Sequence, residues 1–211
     1  MLGIMTAPEH TALVSKLSEA ALSLASQSPW DHLTLSDLCF ASEVTLADCA
    51  KHSVNKAHIC AHLDGLVDQA MLSAQTKVDR DQSVRDRLFD VLMGRFDAME
   101  DNRAAWSSIL TADKNDMVSG LARRARRARS GAWALEASGV SASDARGAGR
   151  SVALARLLRL TEAVWMNDGP DLAKTMAHLD KELRAGEEWV ERAQKLRSFF
   201  GGAKPAAAPT L

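Results

Sequence analysis

The sequence predicts an all-α chain of about nine helices. Three observations carry this. Apolar residues recur at spacings of three and four along almost the whole length. Only five Pro occur in 211 residues, and none interrupts a periodic segment. Alternating β-branched runs are absent, and the chain contains no Tyr.

The first helix is expected over about residues 9–27, with Leu13, Leu17, Ala21 and Leu24 on one face. Trp30 precedes a short helix over 34–41, where Thr34 is a good N-cap and Asp37 stands three residues on. Thr45 and Asp48 repeat that arrangement for a second short helix. Asn55 caps a longer one over about 56–77, with Ile59, Leu63, Leu66, Val67 and Met71 inward. After the charged stretch KVDRDQS, an amphipathic helix carries Val84, Leu88, Val91, Leu92, Phe96 and Met99. The next, over about 102–111, carries Trp106, Ile109 and Leu110. A helix over 114–137 holds the run RRARRAR and is ended by Gly139. A broadly apolar helix over 143–167 carries Val152, Leu154, Leu157, Leu158, Thr161, Val164 and Trp165. In the last, over 171–197, Pro170 takes a first helical position. Leu172, Met176, Leu179, Leu183, Gly186, Val190 and Ala193 then alternate spacings of four and three, a heptad seam suited to partner helices. The end, GGAKPAAAPTL, has the composition of a disordered tail.

The charge is unevenly spread. Residues 1–72 contain no Arg and three Lys (Lys16, Lys51, Lys56) against eight acids, a balance of −5; residues 73–211 carry 23 basic and 19 acidic side chains, a balance of +4. That reverses the pattern of a basic nucleic-acid-binding head on a neutral body. Three Cys (39, 49 and 60) fall on apolar helical positions and read as reduced core thiols. No apolar run approaches the ~20 residues of a membrane span. The opening MLGIMTAPEH has no basic n-region or long apolar core, so no signal peptide is expected and the expected compartment is the cytoplasm.

Between Leu33 and Lys56 the chain reads LTLSDLCFASEVTLADCAKHSVNK, with helix-turn-helix spacing. In register and without gaps, Leu33-Thr34-Leu35, Leu38-Cys39, Val44-Thr45, Cys49, His52 and Lys56 stand where the TetR family of regulators has its characteristic head residues. The chain therefore resembles that family. The resemblance implies a dimer whose third helix enters the DNA major groove and whose helical body binds a small ligand. It also implies backbone contacts to DNA from Thr34, Thr45, Lys51, His52 and Lys56. Three departures stand out: Glu43 at the turn glycine, Ala50 at a tyrosine and Ser53 at a phenylalanine. A left-handed backbone at Glu43 costs about 1 kcal/mol, which puts an altered turn in prospect. The reading helix, Thr45 to His52, offers no Arg, Asn or Gln for bidentate contacts to bases, and Asp48 would face phosphates unfavourably.

In the body, Phe96, Met99, Trp106, Trp133 and Trp165 are the expected lining of a pocket for a small apolar ligand, with plain core packing as the other reading. The run Arg123, Arg124, Arg126, Arg127 and Arg129 spreads over more than half of a helix circumference. It reads as a solvated face, or as a contact to an anionic surface. Residues 84–110 and 164–189 look distantly like ubiquinone-biosynthesis lipid-binding proteins built on a TetR-like fold. The best correspondences are Asp168-x-Pro170 and Leu179-Asp180-x-x-Leu183, although the apolar C-terminal membrane helix of those proteins is absent. His58 and His62 share a helical face, but Cys60 points elsewhere, so they read as surface histidines and no metal site is expected. No phosphate loop, Ser–His–Asp signature or CxxC is present, so neither an enzyme nor a cofactor is expected.

The expectation is thus a helix-turn-helix head (9–54), a ligand-binding and dimerisation body (55–198) and a disordered tail (199–211), with helices 143–167 and 171–197 forming a homodimer interface. The functional expectation is a ligand-controlled DNA-binding regulator. The alternative is a lipid-binding accessory protein on the same fold that no longer binds DNA.

Overall fold

A computed structural model describes residues 7–73 and 81–200. Among the described residues all regular structure is helical: α1 (Ala7–Ala25), α2 (Leu35–Ala41), α3 (Leu46–Lys51), α4 (Lys56–Ser73), α5 (Val84–Glu100), α6 (Arg103–Asn115), α7 (Met117–Ala137), α8 (Ala145–Trp165) and α9 (Ala173–Phe200). The expected extension of α4 over residues 74–77 lies outside the described residues, as does the expected tail from Gly201 onward. Phe199 and Phe200, placed in that tail from sequence, belong to α9.

Local chemistry accounts for most boundaries. Asp116 alone separates α6 from α7: its backbone is extended, and its carboxylate accepts the N–H groups of Val118 and Ser119, so one helix ends and the next begins at one residue. Gly139 (φ 77°) closes α7, with Val140 N–H donating to the Leu135 carbonyl at 2.9 Å. The start of α9 differs from expectation. Pro170 sits in a turn, and the helix begins at Ala173. Asp168 captures the Thr175 N–H (2.7 Å) and hydroxyl (2.8 Å), while Leu172 takes a left-handed φ of 53° to complete the turn. Arg103, at the start of α6, holds the same turn by donating to the carbonyls of Trp165, Asp168 and Gly169.

One hydrophobic core runs from Val14 in α1 to Leu183 in α9. The helices α7 and α8 pack most extensively, followed by α4 on α5, while α1 lies against α4 and α6. Gly131 permits the close approach of α7 to α8, since a Cβ there would stand 2.9 Å from the Leu154 Cβ. The expected partner-facing seam on α9 is largely consumed within the chain: Leu172, Leu179 and Leu183 are buried, and only Met176 and Gly186 of the described positions are exposed. The side chains of Val190 and Ala193, the remaining seam positions, lie outside the described ones. Among the described residues, no helix is long and apolar enough to cross a membrane.

Candidate nucleic-acid interface

The two short helices are built alike. Thr34 and Thr45 are both N-caps in full capping boxes: each hydroxyl accepts the backbone N–H three residues on, and each backbone N–H returns to the carboxylate of Asp37 or Asp48. The C-termini also match. Glu43 and Ser53 adopt left-handed φ values of 56° and 52°. The N–H of Val44 then reaches back to the Cys39 carbonyl (3.0 Å), and that of Val54 to the Cys49 carbonyl (2.8 Å). Each is a Schellman closure made without glycine. The turn geometry expected to be altered at Glu43 is therefore retained, and the left-handed cost falls on a Glu.

These caps decide the electrostatics of the head. The Thr34 and Thr45 hydroxyls hydrogen-bond to Asp37 and Asp48 at 2.7 and 2.5 Å. Those bonds hold both carboxyls below the usual carboxylate range. Each short helix thus carries a fixed negative charge on the end whose free N–H groups would otherwise attract a phosphate. Around α3, Leu46, Ala47, Ala50 and Lys51 face solvent, and Cys49 points inward. Lys51 and half-buried His52 line a groove of about 350 Å³ beside α1, with Lys16, Glu9, Glu43 and Asp48 on its other walls. On α2, Phe40 is 90% exposed. The outward face of the head is therefore apolar with an acidic rim.

Lys56 differs from the other expected contact residues. Its Nζ donates to the carbonyls of Trp30 (2.7 Å) and Leu33 (2.6 Å) and lies 4.2 Å from the Trp30 ring centroid. Burial lowers its pKa. It fastens the α1–α2 loop to α4, so its ammonium is committed within the chain. Trp30 N–H in turn donates to the Ser108 hydroxyl on α6 (2.8 Å), which ties the head to the body.

Of the five residues expected to line a pocket in the body, four pack as plain core. Phe96, Met99, Trp106 and Trp165 are buried and packed, with the Phe96 and Trp165 ring centroids 6.2 Å apart. Trp165 Nε1–H donates to Glu100. Trp133, expected beside them, is 48% exposed on α7 and does not join the cluster. A larger groove, about 440 Å³, is open to solvent between the α1–α2 loop and α6.

The arginine run also reads differently in three dimensions, and neither a solvated face nor an anionic docking surface describes it as a whole. Arg123 is fully buried, and Arg127 nearly so. Arg123 Nη1 donates to both Asp64 oxygens at 2.6 and 2.7 Å, and its Nε to Asp113 at 2.6 Å. Arg126 Nε also reaches Asp64, at 2.6 Å. Arg95 on α5 bridges Asp64 (3.1 Å) and Asp68 (2.6 Å). Arg127 donates through Nε to Glu162 on α8 at 2.9 Å, with a second contact through Nη2. Only Arg124 and Arg129 face solvent, and Arg129 lies 3.7 Å from Asp68.

This network joins α4, α5, α6, α7 and α8 through the interior. Burial raises the cost of ionising Asp64, but Arg123, Arg95 and Arg126 outweigh it and keep the carboxyl below its ordinary pKa. Asp68, for which burial dominates over Arg95, is pushed up. The sequence signal for the network was present but unread: Asp64 and Asp68 sit on α4 amid the inward Leu63, Val67 and Met71, and Arg95 stands between Leu92 and Phe96. Charges embedded in an apolar stripe need opposite charges from other helices.

His58 and His62 stand on α4 near His10, whose ring meets that of His58 edge to face at 6.3 Å. Among the described residues no group of three His, Cys, Asp or Glu side chains is placed to hold a metal ion.

The whole arrangement is similar to a TetR transcriptional regulator from Rhodococcus sp. RHA1, with a TM-score of 0.62 over 85% of this chain and 97% of that one, at 15% sequence identity. No family model matches the chain, and no curated protein matches it in sequence. The likeness establishes a TetR-like fold: an all-helical chain with a three-helix head and a helical body.

Proposed function

We propose that the protein is a homodimeric TetR-type regulator whose head addresses duplex DNA. The observation that carries this reading is the head itself. Two short helices are held by matched capping boxes and matched Schellman closures, and α3 is left with its outer face free. In this reading Lys51 supplies phosphate contact, with Thr34, Thr45 and His52 near the backbone. Lys56 acts by holding the head together. With Leu46, Ala47 and Ala50 outward, base contacts are apolar, of the kind made to thymine methyl groups, in place of bidentate hydrogen bonds.

The dimer of this reading uses α8 and α9. Gly149, Val152, Ala153 and Ala163 are exposed on α8, with Arg156 and Arg159 among them, and Met176 and Ala177 are exposed on α9, a surface of small and apolar residues interrupted by arginines. Control by a small apolar ligand requires Phe96, Met99 and Trp165 to part, because they fill the space between them. Nothing in that packing favours the lipid-carrier alternative.

The test is retention of duplex fragments from a genomic library by the full chain, titrated with salt. Retention at low salt that falls steeply as salt rises supports the proposal, as does a weaker and less salt-sensitive complex for Lys51→Ala. Absence of any retained fragment at low salt overturns it.

A further inference from the structure

We propose that Cys39 and Cys49 are an oxidation site: a small hydroperoxide converts the pair to an intramolecular disulfide that staples α2 to α3 inside the head. Their Sγ atoms lie 3.4 Å apart with nothing between them. A disulfide is about 2.05 Å long, so the sulfurs need to close by only about 1.4 Å.

The backbone holds both cysteines in equivalent places. Each supplies the carbonyl that accepts the long closing hydrogen bond of its own helix, from Val44 for Cys39 and from Val54 for Cys49. The two thiols therefore face each other across the helix-turn-helix because the two helices end in the same way. The ring closed between them spans the end of α2, the turn and the start of α3, so the disulfide restricts the unfolded chain less than one between distant segments would.

Access favours a small oxidant. Cys39 is 4% exposed and Cys49 1%, and the helices that carry them are only seven and six residues long. Helices this short open locally at low cost. The chemistry balances with the peroxide as oxidant. One thiolate attacks the O–O bond, forming an S–O bond and releasing hydroxide, which takes up the thiol proton as water. The second thiol attacks the resulting sulfenic sulfur; the S–S bond forms, the S–O bond breaks, and a second water leaves. Two thiols lose two hydrogens, and one peroxide becomes two waters. Burial, with the Cys49 contact, pushes the Cys39 thiol up to about 11, so the thiolate is scarce at neutral pH. Oxidation should therefore speed up as pH rises above neutral. Cys60 is also buried and free.

The experiment treats the full chain with hydrogen peroxide, blocks remaining thiols by alkylation and maps peptides without reduction. Glutamate-specific cleavage after Glu43 combined with trypsin places Cys39, Cys49 and Cys60 on three separate peptides. The expected result is a Cys39–Cys49 linked pair that dithiothreitol releases, with Cys60 alkylated. Cys60→Ser should keep the linkage, and Cys39→Ala or Cys49→Ala should abolish it. Recovery of Cys39 and Cys49 in the wild-type chain as alkylated thiols, as sulfinic acids, or linked to Cys60 or to a second chain overturns the proposal. None of these outcomes depends on what the head binds.

Discussion

Arg123 on α7 is fully buried and donates to both carboxylate oxygens of Asp64 on α4, which is itself without solvent exposure. Two opposite charges from helices far apart in the chain meet where an apolar interior would be expected. Removing Arg123 leaves Asp64 to Arg95 and Arg126 and takes from Asp113 its 2.6 Å partner, and breaking buried charge pairs typically costs up to about 3–5 kcal/mol. Arg123→Ala should therefore lower the unfolding free energy by that order in urea denaturation. Arg124→Ala, one residue along and facing solvent, should change it by less than about 0.5 kcal/mol. Equal effects would mean that the inward and outward arginines are not distinguished as the structure has them.

The two lysines of the head should separate in the same way. Lys56→Met removes two charge-assisted hydrogen bonds and the contact with the Trp30 ring, so it should destabilise the chain by about 2 kcal/mol in thermal or urea unfolding. Lys51→Ala, at an exposed position, should leave stability within about 0.5 kcal/mol while weakening any DNA complex and lowering its salt dependence. A Lys56→Met variant with wild-type stability would assign its ammonium to the surface.

Glu43 and Ser53 carry left-handed φ values that glycine adopts without a Cβ penalty. Glu43→Gly should raise stability by up to about 1 kcal/mol, the strain relieved being offset in part by a more flexible unfolded chain. Gly139→Ala, at φ 77°, should lower it by about the same amount. Both are read from the midpoint of denaturant unfolding. The prediction is lost if Glu43→Gly destabilises while Gly139→Ala does not.

Asp168 supplies a pH signature. Desolvation opposes its ionisation, but the Thr175 N–H and hydroxyl, with the Gly169 N–H, outweigh it and depress the carboxyl from 3.8 to about 2. A depressed folded-state value means that the contribution is present above the unfolded pKa, near 3.8, and disappears as pH falls through about 2. Asp168→Asn should therefore flatten the loss of stability between those values. An NMR titration of the carboxyl with a midpoint at or above 3.8 would contradict it.

Much of the fold was legible in the sequence. The capping pairs Thr34/Asp37 and Thr45/Asp48 located α2 and α3 because their hydrogen bonds span three residues and need no other part of the chain. Gly139 ended α7 for the same local reason. The break between α6 and α7 was placed a few residues early, at 112–113, because a one-residue break at Asp116 disturbs the apolar period too little to fix its position. The site was less legible. Lys56 matched a contact position by register, but the carbonyls that claim its ammonium come from residues 26 and 23 places away. Trp133 and Trp165 have the same side chain on adjacent helices, yet one is half exposed and the other buried.

By itself, then, the sequence determined that the chain is helical, where its short helices begin, and that its head is acidic, since capping, periodicity and composition act over a few residues. Only the tertiary structure decided which arginines are inside, that the core holds charges as well as aromatics, and that Cys39 faces Cys49. Those outcomes depend on which side chains five packed helices bring within hydrogen-bonding distance, and a partner 59 residues away leaves no local pattern.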